Sequence, residues 1–128
     1  MTDEKSGGSV LLFEDNLLNM KLAADLLELA GFQVLKAYDG EEGLEILGKK
    51  TPDLILLDIS LPGIDGLEFF REIRTRSHLN GVKVVAITAQ VMKEEESVIR
   101  RAGFDGIISK PIDTTQFVKT MKEMLAGR

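Results

Sequence analysis

The sequence predicts an α/β domain: a parallel sheet with helices on both faces. Strand-like runs near 9–14, 32–37, 53–58, 82–88 and 104–109 alternate strictly with helix-like segments near 16–30, 40–49, 65–76, 91–102 and 113–126. Strict strand–helix alternation is the signature of parallel pairing through crossover helices, and right-handed crossovers are expected. Runs such as Leu54-Ile55-Leu56-Leu57 are apolar throughout, as expected of strands covered on both faces. At 128 residues the chain fits one domain, large enough to bury about two-thirds of its unfolded surface.

Met1 to Gly8 is polar, ends in Ser-Gly-Gly-rich sequence and reads as a frayed tail ahead of a domain over 9–126. In the first helix Leu22, Ala23, Leu26, Leu27 and Ala30 follow core spacing. Leu17, Leu18, Met20 and Leu29 fall outside that stripe and form either a wide core face or a docking patch. Gly31, Gly81 and Gly103 follow helix-like segments, where a left-handed residue is favoured. Pro52 and Pro111 punctuate a strand entry and a helix entry.

Composition removes several function classes. With no Cys, thiolate catalysis, disulfides and Cys-ligated zinc are excluded. Asp and Glu outnumber Lys and Arg, 21 to 16, which argues against nucleic acid as a partner because phosphate neutralisation needs clustered bases. The densest basic group, Arg71, Arg74 and Arg76, reads as a solvated helix end. No apolar run is long enough to cross a membrane and no signal-peptide segment is evident, so a cytoplasmic location is expected.

The chemistry lies at the strand ends. Glu14 and Asp15 follow the first strand, Asp58 the third, Thr88 the fourth and Lys110 the fifth. In an open α/β sheet, ligands bind at that carboxyl edge. Two carboxylates about 5 Å apart repel by roughly 3 kcal/mol at an effective dielectric of 20. Three converging ones therefore require a cation, a proton or a lysine. Mg²⁺ suits such an oxygen-only set, with Lys110 as a fixed ammonium partner. One carboxylate can then act as a nucleophile toward phosphorus, with Thr88 and Lys110 contacting the phosphoryl oxygens and small Ala89 leaving room. Taken alone, Asp15-Asn16 reads equally well as a helix cap, whereas Asp58 after Leu-Ile-Leu-Leu demands a partner.

Phe13-Glu14-Asp15-Asn16, Asp58-Ile59-Ser60-Leu61-Pro62-Gly63-Ile64-Asp65-Gly66, Ile87-Thr88-Ala89 and Ser109-Lys110-Pro111-Ile112 together resemble the receiver domain of two-component response regulators, from about Ser9 to Leu125. The resemblance extends to stand-alone DivK-like receivers and to receivers attached to hybrid kinases. It implies a flavodoxin-like fold with strand order 2-1-3-4-5, a point that spacing alone does not settle. It also implies Asp58 as phosphoacceptor and Mg²⁺ bound by Glu14, Asp15, Asp58 and the Ser60 main-chain carbonyl. Thr88 and Lys110 would contact the phosphoryl group, alongside Ser60 and Ala89, and Lys110-Pro111 would be a cis peptide. The family usually has Tyr or Phe three residues before the lysine; here Ile107 stands in that switch position, with no ring to swing inward behind Thr88.

His78, the only histidine, lies in a polar stretch that reads as a loop. A phosphohistidine donor is therefore expected from a sensor histidine kinase or histidine phosphotransfer protein. Output is expected through a downstream protein in a phosphorelay, with Leu17, Leu18 and Pro111 docking the donor. On this reading the chain assists its own phosphorylation and dephosphorylation but is not a turnover enzyme. The alternative is a degenerate receiver that scaffolds partners without phosphorylation. A haloacid-dehalogenase-like phosphatase would want a second Asp where Ser60 stands. A flavodoxin-type carrier would have its phosphate repelled by Glu14 and Asp15, and no P-loop run is present.

Overall fold

The computed structural model describes residues 8–60, 65–89 and 93–126. Its elements run β1 (Gly8–Phe13), α1 (Leu17–Leu29), β2 (Phe32–Ala37), α2 (Gly40–Leu47), β3 (Leu54–Asp58), α3 (Gly66–Arg74), a single 3-10 turn (Ser77–Leu79), β4 (Lys83–Thr88), α4 (Lys93–Ala102), β5 (Gly106–Ser109) and α5 (Thr114–Ala126). All five strands are parallel, in the order 2-1-3-4-5. The expected α/β class, element order and strand order all hold. The tail lies outside the described residues, except that Gly8 already pairs with Phe32 as the first residue of β1.

The central strands are apolar on both sides because each side has its own helix layer. Successive side chains on a strand point to opposite faces. In β1, Leu11 and Phe13 join Leu47, Phe69, Phe70, Ile73 and Ile99, from α2, α3 and α4. Val10 and Leu12 join Met20, Leu27, Phe117 and Met121, from α1 and α5. Only the edge strand β2 exposes residues at its middle, Gln33 and Lys36.

The packing corrects four sequence expectations. The buried stripe of α1 is Met20, Ala23, Ala24 and Leu27, whereas Leu22 is 42% exposed. The helix is rotated so that Met20 enters the layer shared with α5 and Leu22 faces outward beside Pro111. Gly31 and Gly103 take positive φ, but Gly81 does not; it follows a 3-10 turn rather than an α-helix. His78 is within that turn, its Nε2 3.0 Å from the Leu47 carbonyl oxygen. Arg74 is half-buried rather than solvated. It donates to the Leu79 carbonyl at 3.0 Å, pairs with Asp105 at 3.4 Å and lies over the Phe70 ring.

Local chemistry fixes the helix starts. Asn16 caps α1, accepting from Asn19 N–H at 2.9 Å; Asp39, Asp65 and Asp113 accept from the first turns of α2, α3 and α5. Each cap satisfies an N–H that has no partner inside the helix. The cap at the first helix is thus Asn16, which leaves the Asp15 carboxylate available to the sheet edge.

Candidate functional site

The carboxyl ends of β1 and β3 lie side by side, because Phe13 pairs with Leu57. The residues that follow, Glu14 and Asp58, are consequently neighbours across the sheet. β3 and β4 are tied beyond the ladder by Ile59 N–H to the Ile87 carbonyl, 2.9 Å. β4 and β5 are tied by Lys110 N–H to the Thr88 carbonyl, also 2.9 Å. These bonds bring Lys110 to the same edge as the two acids.

Glu14 and Asp58 are buried, while Asp15 is exposed. Carboxylate oxygens of all three come within 4.8 Å of one another. Lys110 Nζ is 2.6 Å from Asp58 Oδ2 and 3.0 Å from Glu14 Oε1. Asp58 Oδ1 accepts from Ser60 N–H at 2.9 Å and from Ser60 Oγ–H at 2.6 Å. Glu14 Oε2 accepts from Asn16 N–H at 3.1 Å. The Lys110-Pro111 peptide is cis.

The acids differ in how this surrounding treats them. Burial is the largest influence on Glu14 and pushes its carboxyl above the usual value, against the opposing Asn16 and Lys110 bonds. Burial is also the largest single influence on Asp58, but the Lys110 and Ser60 hydrogen bonds together outweigh it and hold the carboxyl low. For Lys110, burial works against the ammonium, and its bonds to Asp58 and Glu14 prevail and raise it. The Asp58 carboxylate is thus held in one orientation by Ser60 and Lys110, beside a fixed cation.

Glu14, Asp15, Asp58, Ser60, Lys110, Leu17 and Leu18 line one open cleft of about 570 Å³. Ala89 and Pro111 line an adjoining groove with Asn19, Leu22, Lys110 and Ile112. Thr88 lines a third space of about 280 Å³, with Ile59, Leu67, Val98 and Ile99. Ile107 is packed against the core layer formed with α2, α3 and α4. The sequence reading missed the Ser60 hydroxyl. Its signal was present: a Ser two residues after an Asp is spaced for a local side-chain bond to that carboxylate.

A response regulator receiver domain model matches residues 10–122. The chain belongs to the response regulator receiver family. Polar-differentiation response regulators DivK of Brucella anthropi and Brucella ovis are each 42% identical to this receiver over 91% of its length and 95% of theirs. A CheY-like receiver from Methanospirillum hungatei superposes with a TM-score of 0.83 at 26% identity, covering 93% of this chain and 94% of that one. The receiver domain of a signal transduction histidine kinase from Syntrophus aciditrophicus does so at 0.83 and 26%, covering 94% and 91%. This receiver is therefore a two-component signalling protein of the DivK-like kind. Among the described residues no helix is long and apolar enough to cross a membrane.

Proposed function

We propose that this receiver accepts a phosphoryl group on Asp58 from the phosphohistidine of a sensor histidine kinase or histidine phosphotransfer protein. One observation supports it most directly: Lys110 bridges Glu14 and Asp58 close to an exposed third carboxylate, Asp15. The pocket carries three negative charges against one positive, and its donors are all oxygens, which fits Mg²⁺. Glu14, Asp15 and Asp58 would hold the ion, and when bound it supplies positive charge to the phosphoryl oxygens.

The remaining work belongs to the chain. An Asp58 oxygen forms the new bond to phosphorus as the phosphorus–imidazole nitrogen bond breaks, and the departing imidazole keeps the electron pair and takes up a proton. Lys110 holds the Asp58 carboxylate in position throughout and offsets charge on the transferred group. Thr88, at the end of β4, supplies a hydroxyl, and exposed Ala89 leaves space for the group. The phosphorylated state then changes protein contacts, by biasing a two-state equilibrium that a downstream partner reads. Because Ile107 is an aliphatic residue packed on the core, that switch runs through Thr88 and the start of α4 rather than through an aromatic ring. Leu17 and Leu18, 73% and 78% exposed on the rim of the cleft, dock the donor together with exposed Pro111. The folded unit runs from Gly8 at the start of β1 to Ala126 at the end of α5, and its setting is the cytoplasm.

Incubation with acetyl phosphate tests the assignment. Mass spectrometry should show one Mg²⁺-dependent phosphoryl group that is absent in Asp58→Asn. Labelling that persists in that variant, or none in the parent protein, overturns the proposal in favour of a non-phosphorylated scaffold.

A further inference from the structure

Ser60 does more to Asp58 than a turn residue requires. Its backbone N–H and its hydroxyl both reach the same oxygen, Oδ1, at 2.9 and 2.6 Å. Both Asp58 oxygens face donors, Oδ1 the Ser60 N–H and Oδ2 the Lys110 ammonium, so the hydroxyl is the donor in the shorter bond. A carboxylate oxygen has about two acceptor positions; those two bonds fill both on Oδ1. The other oxygen, Oδ2, carries the Lys110 ammonium at 2.6 Å.

That arrangement leaves an arriving cation a poor choice of approach. On the Oδ2 side it meets a like charge. On the Oδ1 side it meets a neutral hydroxyl that can turn away, on a side chain that is exposed and lines the open cleft. We infer that the Ser60 hydroxyl is a latch on the phosphoacceptor: it occupies Asp58 Oδ1 in the resting protein, and a divalent cation must displace it to bind. The inference rests on the Mg²⁺ reading above and adds a residue that sets how readily the pocket loads. The backbone N–H of Ser60 keeps Asp58 oriented when the hydroxyl leaves, so positioning and latching are separate functions of one residue.

The experiment is isothermal titration of Mg²⁺ alone into the full chain and into Ser60→Ala and Ser60→Thr. Ser60→Ala should bind Mg²⁺ about tenfold more tightly, the equivalent of about 1.4 kcal/mol, and Ser60→Thr, which keeps the hydroxyl, should stay near the parent. Acetyl phosphate labelling of Ser60→Ala should be faster than the parent's at limiting Mg²⁺. A melting temperature in chelator close to the parent's would show that the fold is unaffected. Equal or weaker Mg²⁺ binding by Ser60→Ala, or the same gain in Ser60→Thr, overturns the latch while leaving the function proposal standing. Failure of the parent to bind Mg²⁺ overturns both.

Discussion

Lys110 donates to Asp58 across the sheet edge, Nζ to Oδ2 at 2.6 Å, although the two lie 52 positions apart in the chain. The ammonium is the structural counterweight of the pocket. Its side chain is 21% exposed, and the carboxylates it joins, Glu14 and Asp58, are 3% and 2% exposed. Removing it strands two buried like charges, a loss of about 3 kcal/mol for a broken buried pair. Lys110→Met should therefore be destabilised by about that amount at pH 7 in urea denaturation. The deficit should shrink as pH falls and the two acids take up protons. A deficit independent of pH would mean that lost packing, not lost charge, is responsible.

Asp15 carries the opposite expectation. It is exposed, and a carboxylate oxygen of its side chain lies within 4.8 Å of its acidic neighbours. Neutralising it removes a repulsion of about 1 kcal/mol in a largely solvated setting. Asp15→Asn should accordingly melt about 4 °C higher than the parent without metal and lose most of its Mg²⁺-induced stabilisation. Scanning calorimetry with chelator and with Mg²⁺ separates the two effects. A variant less stable in chelator would contradict the strain account.

Glu14 and Asp58 give pH dependences of opposite sign. Asp58 has its proton affinity lowered by folding, so its contribution is present above the ordinary carboxylate range and lost as pH falls through the folded value. Glu14 is raised above 4.5 by burial. The folded protein therefore holds that proton longer than the unfolded chain, and stability declines as pH rises from 4.5 through the folded value. Glu14→Gln should abolish this declining limb in metal-free denaturation between pH 4 and 7. Persistence of the limb would assign it to another group.

Much of this was legible in the sequence because its signals are local. Apolar runs ending in Asp58, Thr88 and Lys110 give both the strands and the positions of their final side chains. The α1 rotation was not legible. Leu22 and Met20 are both apolar, and which one is buried depends on where α5 lies, a fact carried by Phe117 and Met121 far along the chain. Arg74 was misread for the same reason: its partners, Leu79 and Asp105, come from other elements. The Lys110 bridge to Glu14 as well as Asp58 likewise required the register of three strands.

The exposed end of α1 bears on partner choice. Leu17 and Leu18 face the cleft rim with no described core contact, at 73% and 78% exposure. Leu18→Arg should slow phosphoryl transfer from a cognate kinase at least tenfold, as expected for the loss of a buried interface anchor. It should leave acetyl phosphate labelling unchanged, since that small donor needs no docking surface. Equal loss of both activities would sink the docking role.

Gly43 is where packing and site meet. A Cβ built on it would collide with Phe13 Cε2 and Cζ. Phe13 cannot move aside freely: it is fully buried, and its ring meets Phe69 edge-on at 5.2 Å. Gly43→Ala gains helix propensity of about 1 kcal/mol, but overpacking of this kind costs about 1–3 kcal/mol or more. The net expectation is destabilisation by about 1 kcal/mol or more in urea denaturation. Phe13 directly precedes Glu14, so a displaced ring also moves the first acid away from Lys110. Mg²⁺ affinity should fall along with stability, measured by titration under conditions where the variant is fully folded. A variant that lost stability but bound Mg²⁺ as the parent does would show that the ring's position and the site are independent.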